Sequence, residues 1–161
     1  MAKGDMFLKL ESARQGPIKG EANDKAHPNE IDVIGWSWGM RAQTAVSTGG
    51  ASGKATLHEL SITKNVDSAS TGLMSAMRNN EPIKKGVLTV RKAGGDALEY
   101  VTITIEDGRI TALDVRSGES GSDSELTEQL NFAFKKISVQ YTPQGTEGAP
   151  RGGMTFETEI D

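Results

Sequence analysis

The sequence has 161 residues, about the length of one domain, and we expect a single domain over residues 1–161. Its formal net charge of −4 argues against a nucleic-acid partner, because such proteins use clustered Lys and Arg to neutralise phosphates. The absence of cysteine excludes disulfides, thiol catalysis and cysteine-ligated zinc.

The apolar pattern and the glycine content further limit the classes of protein to which the chain could belong. No apolar run approaches the roughly 20 residues of a membrane span, so the sequence predicts no membrane insertion. Residues 1–10 lack the apolar core of a signal peptide, so we expect the chain to fold in the cytoplasm; if it leaves the cell, a dedicated machine must export it. Glycine makes up 19 of the 161 residues, which exceeds the average share of about 7% and indicates many turns.

The first thirty residues predict short strands and a loop. Apolar residues at alternate positions, beginning at Met6, predict a strand that ends near Ser12. Gly and Pro residues then leave room only for a short strand around Ile18. The segment NDKAHPN, residues 23–29, is predicted to be a loop by its composition, and His27 is interpreted as an ordinary loop residue.

Residues 31–39, IDVIGWSWG, predict a strand that is apolar on both faces. Ile31 and Val33 alternate with Ile34, Trp36 and Trp38, so both sides of the strand need cover. Such a strand is either sandwiched between two layers or covered on its outer side by another subunit. The polar stretch that follows, residues 41–53, is long for a loop and is predicted to be functional or mobile.

Residues 61–80 contain the one convincing helix of the sequence. Alternation up to Val66 predicts a strand, after which Asp67, Ser68 and Ser70 can each offer a side-chain oxygen to the free amides of a first helical turn. A helix of about three turns is marginal alone in water, so we expect it to lie on the sheet as a lid. The side chains predicted to dock it are Leu73, Met74 and Met77.

The second half of the chain predicts a meander of antiparallel strands. Residues 86–93 and 98–106 read as a hairpin, and Asp107-Gly108 is predicted to form a second tight turn. The apolar alternation changes phase within residues 130–141, which predicts a long, bent strand. The predicted fold is therefore all-β and mainly antiparallel: a two-sheet β-barrel or sandwich with one flanking α-helix.

Gly35-Trp36-Ser37-Trp38-Gly39 matches the G-x-S-x-G pattern of a nucleophile elbow. An elbow needs a strand, a strained turn and a following helix, with an acid and then a histidine downstream. Here the only downstream histidine is His58, close in sequence, and only one helix is predicted. A serine hydrolase is therefore disfavoured, and we expect no enzyme.

Three further motifs fail on spacing, so no cofactor and no metal is predicted. Residues 49–56, GGASGKAT, resemble a phosphate loop, but Thr48 stands at the first glycine position and Ala55 replaces the hydroxyl residue that would hold magnesium. Neither histidine has a second histidine at ligand spacing for zinc. The acidic residues within 119–128 lack the spacing of a calcium loop.

Several segments together resemble a known family. The combination is specific: a WSWG strand, K-x-V-D-x-x-S at residues 64–70 and L-T-E at residues 126–128. The matching segments are DMFLKLE, KGEANDKAHPNEIDVIGWSWG, SITKNVDSAS, LTVRKAGG, EYVTITIEDGRI and LTEQLNFAFKKISVQYTPQ. The chain is similar to the haemolysin-coregulated protein (Hcp) family, the tube proteins of bacterial type VI secretion systems.

This resemblance implies a fold like that of phage tail tubes and a homohexameric ring with a wide pore. It further implies that rings stack into a tube inside a contractile sheath, with a trimeric spike at the tip. The tube would assemble in the cytoplasm and be secreted with effector proteins in its pore. The family often ends on a G-W-x strand, whereas this chain ends GGMTFETEID, so the pairing of its last strand is left open.

Three sets of residues are expected to serve this assembly. The subunit interface is assigned to the outer side of the aromatic strand, Ile34, Trp36 and Trp38. Ring stacking is assigned to the long polar loop, with Arg41, Thr44, Ser47, Gly49, Gly50 and Ser52. The pore lining is assigned to the outward-facing alternate residues Thr102 and Thr104 and to the predicted flexible loop of residues 117–124, with Ser117 and Ser120.

One alternative of a different class is kept. Trp36 and Trp38 could stack on a sugar, which would make the chain a monomeric carbohydrate-binding or adhesin-like β-sandwich. Aromatic side chains more often serve burial, each removing about 150–250 Å² from water, and the core or a subunit contact is favoured for both.

Overall fold

A computed structural model describes residues 5–42, 55–92, 99–117, 126–143 and 153–160. Within these ranges the secondary structure is antiparallel strands and one α-helix, as the sequence predicts. The strands are β1 (Met6–Ser12), β2 (Gly16–Ile18), β3 (Ile31–Asp32), β4 (Gly35–Ser37), β5 (Met40–Arg41), β6 (Thr56–Leu57), β7 (Leu60–Asn65), β8 (Ile83–Arg91), β9 (Glu99–Ser117), β10 (Leu126–Ala133), β11 (Lys136–Tyr141) and β12 (Met154–Glu159), and the helix α1 is Ser70–Arg78.

Two main sheets share the long strand β9. In the first sheet, β1 pairs with β2, β3 and β8, and the first half of β9 lies between β8 and β11, followed by β12. In the second sheet, the other half of β9 pairs with β10, and the order continues through β7 to β4. Strands β5 and β6 form a separate two-stranded ribbon. The fold is a sandwich rather than a closed barrel.

The prediction of a tight turn at Asp107-Gly108 is wrong, because β9 runs through this point. Asp107 takes a positive φ of 54°, which bends the strand instead of reversing it. A Cβ on Gly108 would lie 2.4 Å from the carbonyl oxygen of Ala133, so only glycine fits here. The chain also bends between β10 and β11, where the Lys135 amide donates to the Asp107 carbonyl at 3.2 Å. The predicted bend within residues 130–141 is confirmed, but the segment forms two strands, β10 and β11, rather than one long strand.

Residues 31–39 form two short strands rather than one. β3 pairs with β1 in the first sheet and β4 pairs with β7 in the second. Between them, the Val33 amide donates to the Met6 carbonyl at 3.0 Å, and the next amide, that of Ile34, donates to the Thr63 carbonyl at 2.8 Å. Successive amides therefore hydrogen-bond to opposite sheets, and the segment joins the two layers along one edge.

The core lies between the layers, and α1 packs against it. Leu73 and Ala76 are buried and Met77 is partly buried against the core, whereas Met74, predicted to dock the helix, is 39% exposed. Ala69 is the N-cap residue of the helix and has no side-chain oxygen with which to cap it, and its own amide donates to Asp67 Oδ1 at 2.9 Å. Ser70 faces the protein interior instead, where its hydroxyl bonds to buried charged groups.

Candidate functional site

The segment predicted as the subunit interface lies at an edge of the second sheet, since among the described strands β4 pairs with β7 alone. Ile34 is 51% exposed, whereas Trp36 and Trp38 are half-buried and pack against the core. The Trp38 indole N–H donates to the His58 carbonyl at 2.9 Å. Ile34 is therefore the most available of the three predicted contact side chains.

An apolar groove that the sequence did not indicate lies between the β5–β6 ribbon and β12, with a volume of about 560 Å³. Phe156 is in register with Val139, and Val139 with Ile103, so Phe156 lies on the core-facing side of the first sheet. Ile103 is buried, whereas Phe156 is 43% exposed and lies beyond the cover that the described strands of the second sheet provide. Met40 and Ile160 also line the groove and are exposed.

Thr102 and Thr104 lie on the outer face of the first sheet, on either side of the buried Ile103. Thr104 is in register with Ser138 of β11, and Thr102 with Gln140. A row of hydroxyl and amide side chains thus crosses neighbouring strands on this face. The groups that make up this polar face are Thr102, Thr104, Ser138, Gln140, Thr155 and Glu157. On β8, Thr89 in register with Thr102 is buried, and the partly buried Val87 lies beside Thr104.

The remaining predicted site residues are separate from that face. Ser117 ends β9 in the second sheet, paired with Leu126, so the structure does not bring it together with Thr102 and Thr104. Arg41 is exposed at the end of β5. The other predicted positions fall outside the described residues: Thr44, Ser47, Gly49, Gly50, Ser52 and Ser120.

The two charged motifs that support the family resemblance meet in the interior. Lys64 Nζ lies 2.6 Å from Glu128 Oε1, and both side chains are fully buried. The Ser70 hydroxyl donates to the same carboxylate oxygen at 2.8 Å, and Asp67 Oδ1 lies 2.9 Å from Lys64 Nζ. The network joins β7, the start of α1 and β10. Its role is structural, since it is closed to solvent.

His27 is a residue that the sequence analysis missed. It is buried, not an ordinary loop residue, and its ring stacks on Phe7 with centroids 4.6 Å apart. Its Nδ1 lies 3.0 Å from a Glu30 oxygen and its Nε2 lies 2.7 Å from a Glu99 oxygen. Burial lowers the pKa of His27, but the hydrogen bonds to Glu99 and Glu30 outweigh burial, so its pKa is raised above 6.5. A lone histidine in a polar loop carried no signal of these partners.

Ser37, the serine of the elbow-like motif, lies in β4 in register with Ser61. The next element along the chain is β5, not the helix that an elbow requires. Among the described residues, no group of three or more His, Asp or Glu side chains could hold a metal ion. Over the same residues, no helix is both long and apolar enough to cross a membrane.

Comparison with known proteins agrees with the fold and the motifs. The family model "Type VI secretion system effector, Hcp" matches residues 7–141. Protein hcp1 of Pseudomonas aeruginosa is 39% identical over 152 residues, covering 92% of this chain and 90% of that protein. These matches support the secretion-system prediction and not the carbohydrate-binding alternative.

Solved structures share the fold. The structure of a type six secretion system protein superposes with a TM-score of 0.84 at 24% identity, covering 96% of both chains. A type VI secretion system effector from Yersinia pestis superposes with a TM-score of 0.76 at 28% identity, covering 97% of this chain and all of that one. Given the family model and the 39% identical relative, the chain belongs to the Hcp family of type VI secretion system proteins.

Proposed function

We propose that this chain is the structural subunit of a type VI secretion inner tube. Six copies close into a ring, rings stack inside a contractile sheath behind a trimeric spike, and the tube leaves the cytoplasm with effector proteins in its pore. The ring itself is thereby exported. Family membership is the observation that carries this proposal, and the distribution of apolar and polar surface supports it.

A ring needs a heterologous contact, in which one surface of each subunit meets a different surface of the next. The exposed Ile34, with Trp36 and Trp38 behind it, offers one apolar surface at the edge of the second sheet. The groove lined by Met40 and Phe156 offers another. Such a contact should bury at least about 1,000 Å² in total, so the three residues named first are only part of it.

The polar face of the first sheet is the proposed pore lining. A conduit that carries proteins must not hold them by apolar contact, and Thr102 and Thr104 alternate with buried isoleucines, so β9 presents hydroxyl groups outward at these positions. Lys136 offsets part of the acidic charge on this face, since its Nζ lies 3.4 Å from a Glu157 carboxylate oxygen. A polar, hydrogen-bonding wall suits cargo of varied sequence.

Ring stacking is assigned to the loop that begins at Arg41. Deleting residues 47–52 should leave rings intact and prevent tubes. Electron micrographs that still show stacked rings for this variant would contradict the assignment.

The ring contact is tested by Ile34→Asp and Trp36→Asp, each measured by size-exclusion chromatography with circular dichroism to verify the fold. Ile34→Asp should fold and elute as a monomer, because its side chain is already exposed and the charge harms only an apolar contact. Lys84→Asp, at a residue whose side chain is 62% exposed, is the matched control and should leave the ring intact. A folded Ile34→Asp variant that remains a full ring would remove this surface from the contact.

A further inference from the structure

Residues 19–30, which we call the strap, cross the outer side of the first sheet and are held there by charged contacts. The Asp24 carboxylate accepts two hydrogen bonds from Arg91 of β8, at 2.8 and 2.9 Å. His27 stacks on Phe7 of β1 and reaches Glu99 of β9. The strap is thus tied to three strands, and His27 supplies its link to β9.

Both ring nitrogens of His27 face carboxylate oxygens, Nδ1 that of Glu30 and Nε2 that of Glu99. A neutral imidazole has one N–H, so it can donate to only one of them and would point a lone pair at the other. The imidazolium ion donates to both. Because His27 is only 8% exposed, water has little access to relieve the mismatch.

The surrounding charges also favour the protonated ring. The carboxylates of Glu30 and Glu99 favour the imidazolium ion, and the Arg91 guanidinium, whose Cζ lies 5.0 Å from the centre of the Phe7 ring, is paired with Asp24. The charged groups around this site include Glu30 and Asp24 on the strap, Glu99 at the start of β9, Arg91 on β8, Asp5 before β1 and Asp32 of β3, which is in register with Phe7.

We propose that His27 is a proton-operated clamp: while its imidazole is charged it binds the strap to Glu99 of β9, and loss of the proton frees the strap from that strand. Glu99 is the partner released, because its side chain is 43% exposed and water can solvate it, whereas Glu30 is 15% exposed and lies on the strap itself. The clamp is built into the single chain and does not depend on tube assembly.

The direction of the pH dependence follows from linkage. The pKa of folded His27 is raised above 6.5, so the stabilisation is fully present below pH 6.5 and is lost as the pH rises through the folded pKa. Each unit by which the folded pKa exceeds 6.5 corresponds to an about tenfold increase in strap opening across that range.

The test is nuclear magnetic resonance of the full chain. The sequence has two histidines, so His58→Gln leaves the His27 signal alone and also serves as the control. At pH 6, both His27 ring nitrogens should be protonated, and Glu99→Gln should lower the pKa of His27 by removing one negative partner.

Hydrogen exchange of the Gly20, Ala22 and Asn29 amides, which bond within the strap, reports opening. After correction for intrinsic exchange, the exchange rate of these amides in His58→Gln should rise in one step as the pH rises through the pKa of His27. In Glu99→Gln this step should lie at lower pH, and in His27→Gln it should be absent. A singly protonated ring at pH 6, or strap exchange with no step in His58→Gln, would overturn the proposal. The Glu99→Gln result stands even if His27→Gln does not fold.

Discussion

Lys64 of β7 and Glu128 of β10 form an ion pair with no exposed side-chain surface, with 2.6 Å between Nζ and Oε1. The second carboxylate oxygen of Glu128 is also buried and has no hydrogen-bond partner among the described residues. Lys64 and the Ser70 hydroxyl are therefore what makes burial of this carboxylate tolerable. The pair fixes the start of α1 against the second sheet.

Lys64→Met should destabilise the fold by about 3–5 kcal/mol, because it leaves the Glu128 carboxylate buried without its cation. The double variant Lys64→Met/Glu128→Leu should lose less free energy of unfolding than Lys64→Met alone, because no charge is then left buried. Urea unfolding at fixed protein concentration measures both. Lys84→Met is the control: Lys84 pairs with Glu11 at 3.9 Å on the surface, and its loss should change stability by no more than about 0.5 kcal/mol. Equal costs for Lys64→Met and Lys84→Met would refute a special role for the buried pair.

Gly108→Ala tests the bend of β9. The new Cβ would lie 2.4 Å from the Ala133 carbonyl oxygen, a backbone atom that cannot rotate away, so we expect a loss of about 1–3 kcal/mol. Gly35→Ala is the control, since its Cβ would meet Thr63 Cβ at 3.8 Å, an ordinary contact. Thermal unfolding midpoints at one concentration provide the comparison. A midpoint for Gly108→Ala at or above that of the wild type would mean that the strand does not bend as described.

The Asp24–Arg91 contact gives an acid-range prediction. Hydrogen bonds from Arg91 lower the pKa of Asp24 from 3.8 to about 2. Because the folded pKa is the lower one, the contact stabilises the fold above pH 3.8 and is lost as the pH falls towards 2. The stability difference between wild type and Asp24→Asn, measured by urea unfolding, should therefore shrink between pH 4 and pH 2. A difference that stays constant over this range would contradict the assignment.

The polar face can be tested with single cysteines, since the chain has none of its own. Thr104→Cys lies on the outer face of the first sheet, and Asp114→Cys lies on the outer face of the second, in register with Gln129. In assembled tubes, a bulky maleimide should label Asp114→Cys faster than Thr104→Cys, because the reagent is too large to enter the pore. A small maleimide should label both cysteines. The reverse order would place the second sheet at the pore.

The sequence predicted those elements whose apolar pattern lies within a few neighbouring residues, and missed features that depend on residues distant in the chain. Alternation in β1 and β7 and the helix after Asp67 were predicted, because their apolar periods are carried by neighbouring residues. The capping role expected of Ser70 failed because its hydroxyl hydrogen-bonds to a carboxylate from β10, a partner 58 residues away. Asp107-Gly108 has the composition of a turn, but β10 and β11 continue the pairing of β9 on both sides of it.

In the candidate site, too, features set by neighbouring residues were predicted and features set by distant residues were not. The exposure of Ile34 and the polar alternation at Thr102 and Thr104 follow from strand periodicity. The groove at Phe156 could not be predicted, because that residue has the correct period for the core and its exposure depends on which other strands lie opposite it. Likewise, the burial of His27 depends on Phe7 and Glu99, which lie far away in sequence.

The central claim is that copies of this chain close into a six-membered ring. Native mass spectrometry of the purified protein tests it most directly, across a range of protein concentrations. The account predicts a dominant species of six times the 17.1 kDa chain mass. A single species of 17.1 kDa at every concentration would contradict it.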